Sequence, residues 1–371
     1  MLVTRPNACL ALLVASITFG TGRSVSAREP FDHTGLARTA LERHIRPGYQ
    51  RFERAASTMR AAIGKACPPR VAGHRKTLDA AFGNLVHAWG RIEHIQFGPV
   101  VRDNRLERIL FWPDRRGLGA RQIAKVLADR DPRVLDPAVL AGRSIALQGI
   151  GALEAVLYGD PTAFARPLEA AHRCGYAKSI ASNLDRIARE LVAAWGADGA
   201  FAARWLNPGQ HNPEFLKPSE TTLALAKAYD QGLERVRDLR LAGPLALNAE
   251  RRTLPVILAA SDRAMTLVTA NIEGLRELYT SGGIQQAIIA ANVEDADVSV
   301  SANARLIAGE LRTALDEARR LLHHRQPFAR PDARQQMLAM GFPLKNARVQ
   351  AAALLTLTAG LTLGFNSSDG D

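Results

Sequence analysis

Along most of this chain apolar residues recur every three to four positions, the period of helices with one face turned inward. The spacing predicts helices over 33–45 and 49–66. In the second of these, Ala55, Ala56, Met59 and Ile63 form one stripe before Cys67-Pro68-Pro69 ends it. A third helix is expected from Thr77 to Ile95, stopped by Phe97-Gly98-Pro99, and others over 120–129 and 137–158. Asp160-Pro161 then opens a helix running from Thr162 to Trp195. From Gly196 to Pro218 the pattern gives way to turn chemistry, with Asn207-Pro208-Gly209 and Asn212-Pro213, and the boundary between two halves is placed there. Helices resume over 219–240, 256–279, 301–324 and 344–363. No period-two run is long enough to demand a sheet, so the expected architecture is all-α: two helical-bundle domains, 28–205 and 206–371, with a groove at their interface.

One predicted helix breaks its own apolar stripe. In Gly149-Ile150-Gly151-Ala152-Leu153-Glu154-Ala155-Val156-Leu157-Tyr158-Gly159, Glu154 shares a face with Leu147, Ile150, Gly151, Leu157 and Tyr158. An inward carboxylate is costly unless something satisfies it. Its residue type allows a structural ion pair with an arginine or a ligand or metal site, and the sequence leaves both open. The uncharged run from Val349 to Phe365 is likewise either a membrane anchor or a core helix. Gln350, Thr356, Thr358, Gly360 and Thr362 make it short and only moderately hydrophobic, which favours the core.

Charge changes this picture little. The net charge is +12, but basic residues are mixed with acids along helices, and Arg235-Val236-Arg237-Asp238-Leu239-Arg240 reads as a solvated face. With 6% aromatic residues and no basic-aromatic platform, a nucleic-acid partner is not expected. Familiar catalytic signatures are missing. There is no H-E-x-x-H, and His323-His324 diverge on a helix. Ser179, Ser261 and Ser301 lack a G-x-S-x-G setting, and Gly282-Gly283 lacks the Gly-Lys-Ser/Thr of a phosphate loop. His87 and His94 read as surface or partly packed histidines.

The first 27 residues read as a signal peptide: Arg5, an apolar run from Ala8 to Phe19, then Val25-Ser26-Ala27 for cleavage. The expected location is therefore the periplasm or cell envelope, peripheral to a membrane at most. Cleavage leaves a net charge of +10 and Cys67 and Cys174 as the only thiols, which an oxidising compartment would join.

Several separated motifs occur in a telling order. Trp89-Gly90-Arg91 and Phe97-Gly98-Pro99 come first, then Phe111-Trp112-Pro113-Asp114, then Gln148-Gly149-Ile150-Gly151-Ala152-Leu153-Glu154, and the chain closes on Gly364-Phe365-Asn366-Ser367-Ser368-Asp369-Gly370-Asp371. Together, from about residue 36 to 371, they resemble the imelysin-like family, also known as peptidase family M75, which includes periplasmic iron-uptake proteins of the EfeO type. The resemblance implies an all-α envelope protein with a site in the groove between two bundles. It also implies iron or another divalent metal as the cofactor class, and a small ligand or metal ion and envelope iron-uptake components as partners.

The family signature, G-x-H-x-x-E, falls on Gly149, Gly151 and Glu154, with glycine in the histidine position. A His and a Glu three residues apart can hold one metal ion; Glu154 alone is a weak site. The expected function is therefore non-catalytic ligand binding linked to iron uptake or regulation. Glu154 is the central carboxylate and the one candidate metal ligand, and Gln148, Gly149, Gly151, Arg91, Glu93 and Trp112 complete the candidate pocket. The alternatives are a metal-dependent peptidase of the M75 type, or a structural or interaction protein with a vestigial site.

Overall fold

Proline, glycine and short polar runs cut the helical pattern into fourteen α-helices among the residues that the computed structural model describes, 31–68, 71–246, 253–291 and 298–361. The N-terminal half holds α1 (His33–Ala40), α2 (Arg46–Ala66), α3 (Ala72–Gly90), α4 (Arg105–Ile109), α5 (Leu118–Asp129), α6 (Pro137–Ala141), α7 (Gly149–Tyr158), α8 (Pro167–Trp195) and α9 (Ala200–Leu206). The C-terminal half holds α10 (Pro218–Glu234), α11 (Ala264–Tyr279), α12 (Ile284–Ala290), α13 (Val298–Leu321) and α14 (Ala333–Ala359). No strand occurs among the described residues, as the sequence pattern requires. The expected signal segment and the closing Gly-Phe-Asn motif lie outside them.

In the first half α2 packs between α3 and α8, with Tyr49, Phe52, Met59 and Ile63 buried, and α7 lies along α8. In the second, α13, α14, α10 and α11 pack side by side. The expected division at 205/206 falls at the end of α9. The polar run that follows is folded around Asn212, whose amide donates to Arg204 O and Asn207 O and accepts from the Glu214 and Phe215 amides. The buried apolar residues of the two halves form one continuous cluster, joined where α3 meets α11. A Cβ on Gly90 would lie 2.7 Å from Ala270 Cβ, so the glycine lets these two helices approach. Helix α1 meets α9 and also reaches into the second half: Ala37 O accepts from Trp205 Nε1, and His33 Nδ1 lies 2.9 Å from Thr222 Oγ1 of α10.

Cys67, just past α2, is bonded to Cys174 in α8, with their Cα atoms 5.7 Å apart. A disulfide of this kind typically stabilises a fold by about 2–4 kcal/mol.

Several elements differ from the periodicity-based reading. The expected helix 137–158 is three pieces, because the chain turns at Gly142 and again at Gly149, whose φ of +80° a side chain would strain. Residues 257–262 form turns rather than the start of a helix, with Leu258 and Asp262 in the left-handed region. Helix α14 begins at Ala333, not 344, and carries Pro343 within it; its buried Leu344, Ala347, Ala351, Leu354 and Leu355 match the core-helix reading. No described helix is long and apolar enough to cross a membrane. The basic run 235–240 is not a solvated face: it is π-helical, and Val236 and Arg240 are buried.

Candidate functional site at the joint of the two halves

Helix α7 begins under tight constraint. A Cβ on Gly149 would lie 2.5 Å from the carbonyl oxygens of both Arg108 and Ile109, so only glycine lets the helix start press on the end of α4. Gln148 beside it is buried; its amide donates to Arg143 O at 3.1 Å and accepts from Arg108 Nη1 at 3.4 Å. Tyr176 Oη fixes the preceding turn by donating to Leu147 O at 2.8 Å. The backbone before α7 is thus held from three sides. Gly151, one turn on, is the opposite case: a Cβ there would meet nothing within 4 Å.

From this anchored helix Glu154 reaches the turn that leads into α11. Its Oε1 accepts from the Ser261 amide at 2.8 Å and from the Ser261 hydroxyl at 2.7 Å. No cation pairs with it among the described residues, so its partner is neutral. Burial pushes the Glu154 carboxyl above the usual carboxylate range, and the hydrogen bonds from Ser261 oppose that rise. One turn further, Tyr158 packs against Phe82 of α3 at 5.1 Å, with the Arg75 guanidinium 4.5 Å over its ring. Arg263, just past the turn, donates to Asp79 O of α3 at 3.4 Å. The face holding Gly151, Glu154 and Tyr158 therefore lies where α7, α3 and the residue 257–263 segment meet.

Glu93 and Trp112 come together elsewhere. Glu93 is 4% exposed and accepts from Arg240, 1% exposed, at 2.5 Å. Asn271 donates to the other Glu93 oxygen at 3.1 Å and to Gly90 O at 2.8 Å, while accepting from Arg240. The Arg240 guanidinium lies 5.9 Å from the centre of the Trp112 ring. Burial alone would raise the Glu93 carboxyl, but the charge and hydrogen bond of Arg240, with Asn271, hold it below its ordinary value. Arg91 points away from this network and pairs with Glu277, which also meets Arg51 at 3.4 Å. Of the candidate residues, then, Gln148, Gly149, Gly151 and Glu154 share one end of α7, Glu93 and Trp112 share Arg240, and Arg91 joins neither group.

Sequence reasoning passed over four of these participants. Ser261 stands in a segment that looked helical, and Arg240 in a run that looked solvated; Asn271 is one polar position on the core face of α11. The fourth is His44, in the π-helical segment Leu41–Ile45, whose Nε2 lies 2.8 Å from His94 Nε2, with both rings buried. His87 instead meets Glu273 at 2.9 Å. Among the described residues no three His, Cys, Asp or Glu side chains gather into a group that could hold a metal ion.

Two larger hollows flank these clusters. One of about 680 Å³ lies between residues 210–216 and α10 and includes Gln96, Phe97, Lys227 and Gln231 in its wall. The other, about 660 Å³, lies between α5, α7 and α8 and includes Ile123, Ala155 and Arg173. Glu154 lines neither.

The chain matches the Imelysin family, peptidase M75, over residues 45–361, and it belongs to that family. Its fold is that of an imelysin-like protein from Psychrobacter arcticum (TM-score 0.71, 17% identity, 90% of this chain and 97% of that one). A candidate iron-regulated protein A precursor from Parabacteroides distasonis has the same fold (TM-score 0.71, 11% identity, again 90% and 97%). No curated protein matches the sequence.

Proposed function

We propose that this imelysin-family protein is an exported, non-catalytic binding protein of the bacterial cell envelope, linked to iron uptake or its regulation, which holds a small ligand beside Glu154. The observation that carries the reading is the Glu154–Ser261 pair next to the open space at Gly151. A carboxyl with neutral partners and a raised pKa, bordered by room for another group, suits recognition by hydrogen bonding. Export is supported by the reading of residues 1–27 and by the Cys67–Cys174 bond. The iron link rests on family membership and on the name of the Parabacteroides protein.

A resident metal does not fit the residues around Glu154. The signature histidine is Gly151, Glu154 Oε1 is engaged by Ser261, and no described His, Cys or acidic cluster supplies replacement ligands. The metallopeptidase alternative has the family label in its favour and needs a Glu154-dependent metal and chelator-sensitive cleavage.

The test is native mass spectrometry of the protein purified from its own envelope, beside Glu154→Ala. A small molecule carried by the wild type and missing from the variant is expected. Equal loading of both proteins, or none in either, would remove the binding role from Glu154 and favour a vestigial site.

A further inference from the structure

Helix α14 is apolar on two faces. Inward it buries Met337, Met340, Leu344, Leu354 and Leu355, as core packing requires. Outward, Leu338, Phe342, Val349 and Leu357 remain 38%, 64%, 59% and 53% exposed. Their spacing sets them along one side of the helix, in a stripe about 30 Å long. Single exposed apolar residues are ordinary, but four along one helix face form a surface that something covers.

The charges on the helix are one-sided. From Ala333 to Ala359 it holds Arg334, Lys345 and Arg348 and no acidic residue. Arg348 is taken by Asp230 at 2.8 Å and Glu234 at 3.3 Å. Arg334 and Lys345 are exposed, and helical spacing places both among the outward apolar residues. Glu310 of α13 stands at one edge, accepting from Asn346 at 3.2 Å.

We propose that this outward face of α14 docks on an anionic lipid surface, with Phe342, Leu338 and Val349 entering the boundary between headgroups and acyl chains and Arg334 and Lys345 resting on lipid phosphates. Charge selects this occupant over a second copy of the chain. Two α14 faces laid together would set cation against cation in a protein of net charge +12, whereas an anionic surface attracts the same residues. The helix lies on the membrane rather than through it, since no described helix is long and apolar enough to cross one. The uncharged run beginning at Val349 thus serves the core on one side and a lipid surface on the other.

Co-sedimentation with vesicles of phosphatidylcholine, alone and mixed with phosphatidylglycerol, tests this on the wild type, Phe342→Ser/Val349→Ser and Arg334→Gln/Lys345→Gln. Binding to the anionic vesicles is expected to weaken as salt rises and to fall at least about tenfold in either double variant. Hydrogen exchange on the wild type provides a readout that needs no variant: anionic vesicles should slow exchange in peptides covering 334–357. Absence of binding, binding indifferent to both substitutions, or protection confined to other helices would overturn the proposal. So would a wild-type dimer in sedimentation analysis that Phe342→Ser/Val349→Ser converts to monomer, which would assign the stripe to a second copy.

Discussion

Glu154 and Ser261 are joined by two hydrogen bonds, one from the serine amide at 2.8 Å and one from its hydroxyl at 2.7 Å, and the pair ties α7 of the first half to the turn entering α11 in the second. Among the described residues this carboxylate has no countercharge. What holds it is a serine presented by a turn with left-handed residues at 258 and 262.

Because the folded-state pKa of Glu154 is raised, its contribution is fully present below the ordinary glutamate value of 4.5 and is lost as pH rises through the folded value. Glu154→Gln removes this dependence. In urea titrations the variant should therefore gain stability relative to wild type as pH rises from about 4 to 7. Ser261→Ala, which keeps the amide but removes the hydroxyl, should cost about 1–2 kcal/mol. A flat difference across that pH range would contradict the neutral setting of Glu154.

The His44–His94 pair gives the opposite slope. Burial lowers both imidazoles, His94 to about 3, and each Nδ1 lacks a partner among the described residues, so added protons find no acceptor. Depressed histidine values mean that the unfolded chain takes up protons first. Stability should therefore fall as pH drops below about 6.5, by up to about a hundredfold in the folding equilibrium per pH unit for two histidines. Equilibrium unfolding at pH 7.5 and 5, with His44→Gln/His94→Gln as the control that loses the slope, measures it.

Arg240 and Glu93 are buried together, and removing one strands the other. Arg240→Met alone should cost about 3–5 kcal/mol, while Glu93→Leu/Arg240→Met should recover much of that loss. Denaturant midpoints of these proteins and of Glu93→Leu decide it; a double-variant loss equal to the sum of the two single losses would mean the pair does not act as a unit.

Reduction of Cys67–Cys174 should lower stability by about 2–4 kcal/mol. Unfolding followed with and without reductant, against Cys67→Ser/Cys174→Ser, separates the bond from any effect of the reagent.

Much of the fold was legible because helical periodicity is a local property. The all-α class and the inward placement of Glu154 follow from residue type and spacing, and the Cys67–Cys174 pairing from there being two cysteines after the signal segment; the third helix, expected to run to Ile95, ends instead at Gly90, seven residues before Phe97-Gly98-Pro99. The partners were not legible. Ser261 meets Glu154 across more than a hundred residues, and nothing local marks it, since the turn holding it carries the same apolar spacing as a helix. Arg240 looked solvated because its run mixes basic residues with an acid, but in the π-helical segment 235–242 it is buried against Glu93. The split of 137–158 came from Gly149 taking a positive φ against α4, a tertiary demand that the sequence shows only as one more glycine.

The central claim is that Gly151 in the histidine position leaves Glu154 a hydrogen-bonding carboxyl and not a metal ligand. Metal content of the purified protein, measured by mass spectrometry after anaerobic exposure to iron and zinc, tests it in the wild type, Glu154→Ala and Gly151→His. No Glu154-dependent metal is expected in the wild type, and a gain is expected in Gly151→His, where the new side chain has room and stands three residues from Glu154. Stoichiometric metal in the wild type that disappears in Glu154→Ala would contradict it.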